Sequence, residues 1–159
     1  MLTLTRRRQI VLSAVALLAV ALVTATAVFA AGPRILKIKA TDDMKYSVNH
    51  IDAKPGEDLK VLLSGEGAMA KDQMAHNFIL LAAGTDPVAF VTAASMARAT
   101  GYVPANMKDK ILAMTPNLVG AGETTEVTFK APTKPGTYVY VCTFPGHYFG
   151  GMKGELVVK

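Results

Sequence analysis

Beyond residue 31 the chain is built mostly from short apolar stretches and alternating segments separated by Gly, Pro and Asp turns. The alternation at 35–40 (Ile, Lys, Ile) predicts a half-buried strand. Residues 46–53 read as extended and are closed by the turn Lys54-Pro55-Gly56-Glu57. Residues 59–63 form an apolar run ended by Ser64-Gly65-Glu66-Gly67, and 77–83 form a longer, buried one. Asp86 followed by Pro87 is a helix start, so 88–98 reads as one short helix. Strands follow at 110–115, at 123–130 with Thr, Val and Phe turned inward, at 137–144 and at 154–159. This pattern predicts an all-β fold, a Greek-key sandwich or barrel with one helical insertion, over residues 32–159.

The first 31 residues follow a different pattern. Arg6, Arg7 and Arg8 precede an apolar run from Ile10 to Val23 broken only by Ser13, and Ala-rich sequence continues to Ala31. A basic start, an apolar middle and small residues at Ala25-Thr26-Ala27 or Val28-Phe29-Ala30 predict a signal peptide. The 22 residues 10–31 are also long enough to span a bilayer as an N-terminal membrane anchor. The alanine-rich end suits cleavage better than a lipid-facing helix. In both cases the arginines stay in the cytoplasm and the remainder is exported, to a periplasmic or extracytoplasmic location.

Charge and composition mainly exclude. The net charge of +5 includes those three arginines; the 14 Lys and Arg that remain face 12 Asp and Glu, a near-balance that gives no support for nucleic-acid binding. With one cysteine, neither an intrachain disulfide nor a multi-thiolate zinc cluster can form.

The candidate chemistry lies in Cys142-Thr143-Phe144-Pro145-Gly146-His147-Tyr148-Phe149-Gly150-Gly151-Met152, a loop joining the last two strands. It carries a thiolate, an imidazole and a thioether. His76 opens a different strand. Singly, a buried Cys is an inert small hydrophobe and a Met is core filler. Together, two His and one Cys with a weak axial Met are the donor set of a mononuclear blue-copper site. Soft sulfur suits Cu(I), imidazole suits both oxidation states, and a fixed compromise geometry lowers reorganisation. Pro145-Gly146 forms the tight turn that aims Cys142 and His147 at one point. His50 has no such companions and reads as a solvent-facing strand residue.

These residues carry a resemblance. CTFPGH followed closely by MKG, with the upstream pair His76-Asn77 and the segment 117–129, resembles the azurin-type cupredoxins over almost all of 35–159. The resemblance implies copper ligands His76, Cys142 and His147, an axial Met152, a weak fifth donor in the Ala75 carbonyl, and an Asn77 that ties the ligand loops together. The azurin disulfide is absent, since only Cys142 exists, and Phe78 stands where azurins have tryptophan. Four residues, Tyr148 to Gly151, separate His147 from Met152, a spacing similar to auracyanin rather than to azurin.

The implied function is a single-electron carrier, not an enzyme, using one copper ion cycling between Cu(I) and Cu(II). Its partners would be transient redox proteins such as cytochromes or reductases, met by a monomer that touches the membrane only through an uncleaved N-terminal segment. Copper nitrite reductases and multicopper oxidases need more histidines than the three present, and a binuclear centre needs two cysteines. A periplasmic copper-delivery protein is the alternative, but Met44, Met69, Met74, Met96, Met107 and Met114 are scattered rather than clustered. The sequence also predicts that His147, on an exposed loop, presents its ring edge as the electron port, with Tyr148 and Phe149 around it.

Overall fold

A computed structural model describes residues 32–159. The targeting segment read at 1–31 lies outside the described residues. Among the described residues no helix is long and apolar enough to cross a membrane.

Nine strands form two sheets: β1 Arg34–Thr41, β2 Lys45–Tyr46, β3 His50–Ala53, β4 Asp58–Glu66, β5 Ile79–Leu81, β6 Ile111–Met114, β7 Thr124–Lys130, β8 Gly136–Val141 and β9 Lys153–Val158. The first sheet has the order β2-β1-β4-β7 and the second β3-β9-β8-β5-β6. β1 runs parallel to β4 and β3 parallel to β9, while the other pairs are antiparallel. The chain crosses between sheets after β2, β3, β4, β6 and β7, which is the Greek-key sandwich expected of this strand pattern.

The strands differ from the sequence expectation at several points. The extended stretch 46–53 is two strands in different sheets, because β2 pairs with β1 and β3 with β9. β4 continues past Leu63 to Glu66, since Gly65 admits the close approach of the Gly120 backbone and bonds to Glu123 and Gly122. On β7, Thr125, Val127 and Phe129 do turn inward but are only half-buried, as befits a sheet edge.

Two apolar layers set the position of the functional end. Ile38, Leu59, Val61, Leu63, Leu80, Tyr140 and Leu156 fill the space between the sheets. The three apolar residues of β5 are all buried because the strand is covered on both faces: Leu80 joins this inner core, and Ile79 and Leu81 join a second cluster. That second cluster contains Phe90 and Val91 of helix α1 (Pro87–Ser95), which is inserted between β5 and β6. Asp86 Oδ1 accepts from the Val88 and Ala89 amides at 2.9 and 3.3 Å, and Pro87 takes the first helical position. Such a cap is worth about 1 kcal/mol. The helix stops three residues before the expected Arg98, in a 3-10 turn over Arg98–Thr100 closed by Gly101 at φ +65°. Tyr148 of the loop between β8 and β9 packs into the same cluster, so the helix seats that loop.

Candidate metal centre

β8 ends at Val141 and β9 starts at Lys153, so Cys142 and Met152 face each other across the mouth of an antiparallel pair. The Cys142 amide donates to the Met152 carbonyl at 3.1 Å and closes the loop between them. Inside it, His147 N donates to Phe144 O at 3.1 Å, Gly150 N to Gly146 O at 2.9 Å and Met152 N to His147 O at 2.9 Å. Gly146 at φ +85° and Gly151 at φ +101° supply the two left-handed turns this path requires. The four residues between His147 and Met152 are thereby taken up as turn, and Met152 is still delivered to the same point as His147.

His76 arrives from the other side. It precedes β5, and its backbone is clamped by a reciprocal pair of bonds with Val119, both 2.8 Å. The 117–120 segment thus acts as a brace for a ligand strand.

The side chains converge. His147 Nδ1 lies 3.5 Å from Cys142 Sγ, and His76 Nδ1 lies 3.3 Å from Met152 Sδ. The donor atoms of His76, Cys142 and His147 all fall within 4.8 Å of one another. Ligand bonds of ~2.1 Å to nitrogen and ~2.3 Å to sulfur at near-tetrahedral angles separate the two donors by about 3.6 Å, so these spacings match one shared ion. The Ala75 carbonyl oxygen is 4.0 Å from Cys142 Sγ. A thiolate and a thioether with two imidazoles is a soft-plus-borderline set, which suits copper in both oxidation states.

The site is dry. Cys142 and Met152 are fully buried, and His76 and His147 nearly so. Burial pushes the Cys142 thiol up to about 11, against the opposing pull of the Asn77 and Phe144 amides that point at its sulfur. Burial likewise pushes His147 down to about 4, helped by the neighbouring His76, whose own pKa burial also lowers. Without a cation the three groups are neutral; a bound metal is the charge that draws a thiolate into this place.

Asn77 lies where the resemblance puts it, joining the two ligand loops through Thr143. The support around it was not visible in the sequence. Tyr46 Oη donates to the Asn77 carbonyl, and Phe78 N donates to Thr115 Oγ1 at 3.1 Å. Tyr46 comes from the opposite sheet, and no local signal marks it. His50 is exposed beside Asp52 at 3.3 Å, away from the cluster, as read.

Two expectations about the surface are corrected. His147 does not present an open ring edge: it is 2% exposed, covered by Phe144 at a ring-centroid distance of 4.8 Å, with Tyr102 packed against Phe144 in turn. Tyr148 is buried under α1, leaving only Phe149 of that pair on the surface at 68% exposure. The reason is the loop's own hydrogen bonding, which folds it down over the site.

Comparison with known proteins agrees with this geometry. Residues 34–159 match the family described as copper binding proteins, plastocyanin/azurin family. Auracyanin-A of Chloroflexus aurantiacus is 34% identical over 131 residues, covering 80% of this chain and 76% of that protein. Auracyanin-B of the same organism is 46% identical over 84 residues, but the match takes in 52% of this chain and only 35% of that protein's length. The solved structure of dithionite-reduced auracyanin from Roseiflexus castenholzii superposes with a TM-score of 0.69 at 29% identity, covering 81% of this chain and 99% of that one. With a buried His-Cys-His cluster at the mouth of a Greek-key sandwich and a family match spanning both sheets, the chain belongs to the plastocyanin/azurin family of copper-binding proteins, the blue copper electron carriers that include the auracyanins and azurins.

Proposed function

We propose that this chain carries single electrons with one copper ion, which His76 Nδ1, Cys142 Sγ and His147 Nδ1 would hold, with Met152 Sδ and the Ala75 carbonyl as weaker donors. The observation that carries the reading is the convergence of those donors, 3.3 and 3.5 Å apart in pairs, in a fully covered site. When bound, copper supplies the one-electron couple. The chain's residues do the rest. The Asn77–Thr143 bonds and the Val119 brace hold the ligand loops at fixed separation, so little moves when the charge changes. The Asn77 and Phe144 amides at Cys142 sulfur stabilise the thiolate, and the apolar surround excludes water.

Electrons enter and leave through the cover that Phe144 makes over His147, on the surface that also carries the exposed Phe149. A small, weakly charged face of this kind suits brief encounters with cytochromes or reductases, at the low end of interface size. It works as a carrier and not as an enzyme, since its covered site leaves no open position for a substrate. Copper delivery would want exposed, exchangeable thioethers, whereas the donor sulfurs here are buried. Residues 32–159 form the copper domain outside the cytoplasmic membrane, and residues 1–31 are the signal peptide or anchor that takes them there.

The test is the visible and EPR spectrum of the copper-loaded protein. An intense thiolate-to-Cu(II) band that bleaches and returns on reduction and oxidation supports the reading. A colourless, copper-loaded protein overturns it.

A further inference from the structure

The turn between β1 and β2 belongs to one sheet, yet it rests on the ligand loop of the other. Lys45 Nζ donates to the carbonyl oxygen of Gly150. A Cβ on Gly151 would collide with that same Nζ, and a Cβ on Gly150 would lie 2.8 Å from Met44 Sδ. The two glycines therefore leave the room that Met44 and Lys45 occupy. The turn itself is built for the purpose. Met44 takes a left-handed φ of +57° and its amide bonds to Thr41 O at 2.9 Å. Asp42 Oδ2 accepts from the Ala68 and Met69 amides at 2.8 and 3.2 Å, tying the turn to the end of β4.

Among the described residues no carboxylate pairs with Lys45, and residues 1–31 contain none. Its ammonium is thus committed to a carbonyl two residues before Met152. That carbonyl sits between the Gly150 N–H bonded to Gly146 O and the Met152 N–H bonded to His147 O. A donor here fixes the part of the loop that carries the extra turn.

We propose that Lys45 is a positioning residue for the copper centre: it clamps Gly150-Gly151, so holding Met152 in place, and its positive charge favours Cu(I) over Cu(II), raising the reduction potential. The proposal rests on the ligand set given above. The clamp and the charge are separable, because a clamp acts on loop motion and copper retention, while a charge acts on the potential and is screened by salt.

The experiment compares the copper-loaded wild type with Lys45→Met and Lys45→Arg. Lys45→Met is expected to have a lower potential by voltammetry, with a difference that shrinks as ionic strength rises. It should release copper to a chelator about tenfold faster, the scale of a lost charge-assisted hydrogen bond after solvent screening. In the copper-free protein, hydrogen exchange at the Gly151 and Met152 amides should quicken. Lys45→Arg should restore all three. A blue wild type with Lys45→Met equal to it in potential, release and exchange overturns this proposal alone. A potential shift indifferent to salt, or an arginine variant that behaves like the methionine one, overturns it as well. A wild type that is not blue overturns the ligand assignment and this proposal with it.

Discussion

Asn77 and Thr143 form a two-way clasp: Asn77 Nδ2 donates to Thr143 Oγ1 at 2.8 Å, and the Thr143 amide donates to Asn77 Oδ1 at 2.9 Å. Both residues are buried, and each adjoins a residue of the donor cluster in the chain, His76 on one side and Cys142 on the other. Asn77→Ala leaves a buried N–H and a buried hydroxyl without partners. The expected loss of stability is about 3 kcal/mol, at about 1–3 kcal/mol for each unpaired group. Urea unfolding of the copper-free protein measures it. A loss under about 0.5 kcal/mol, the range of an inconsequential surface change, would mean that other contacts hold the loops.

Cys142→Ser should abolish the visible band, because that band belongs to the thiolate–copper bond and a hydroxyl is a poor soft donor. Absorption spectra of the two copper-loaded proteins decide this. A serine variant as blue as wild type would exclude Cys142 as the donor.

Loading Cu(II) at pH 7 should release one proton per copper. Burial holds the Cys142 thiol near 11, so it is protonated until the metal displaces its proton. His147, near 4, and His76, also lowered, are already neutral at pH 7 and have none to give. The same shifts give the sign of acid sensitivity in the copper-free protein. Folding holds the His147 imidazole below its ordinary 6.5, so the unfolded chain binds the extra proton. Stability is therefore fully present above about pH 6.5 and falls as pH drops from there toward about 4. Proton release read by an indicator dye in weak buffer checks the first statement, and denaturation midpoints across that window check the second. Two protons per copper would mean that a histidine is charged at pH 7.

Met152→Leu should keep copper and colour while raising the reduction potential. The thioether modestly favours Cu(II), and leucine donates nothing at similar volume. Voltammetry of the two proteins measures the difference. An unchanged or lower potential would place Met152 Sδ outside bonding reach, despite its 3.3 Å approach to His76 Nδ1.

Phe149→Asp should slow electron self-exchange and leave the visible spectrum nearly intact. Phe149 is exposed and forms no part of either buried cluster, so the substitution adds charge to the encounter face without touching the ligands. NMR line broadening at fixed ionic strength gives the rate. An unaffected rate would locate the port elsewhere.

What the sequence determined by itself is what depends on neighbours along the chain. The period-two alternation of β1 and β7, the Asp86-Pro87 helix start, and the donors Cys142, His147 and Met152 within eleven residues are all local patterns, and local patterns survive into the fold because backbone geometry acts over a few residues. The tertiary structure decided everything that requires two distant segments to meet. It split 46–53 between sheets, brought Tyr46 to the Asn77 carbonyl and Lys45 to Gly150, and made Val119 the brace of His76. It also covered His147 with Phe144 and drew Tyr148 beneath α1, where the loop had suggested exposure. Burial and long-range hydrogen bonds are properties of the packed whole: a side chain's exposure is set by what the rest of the chain places over it, and no spacing within one loop contains that information.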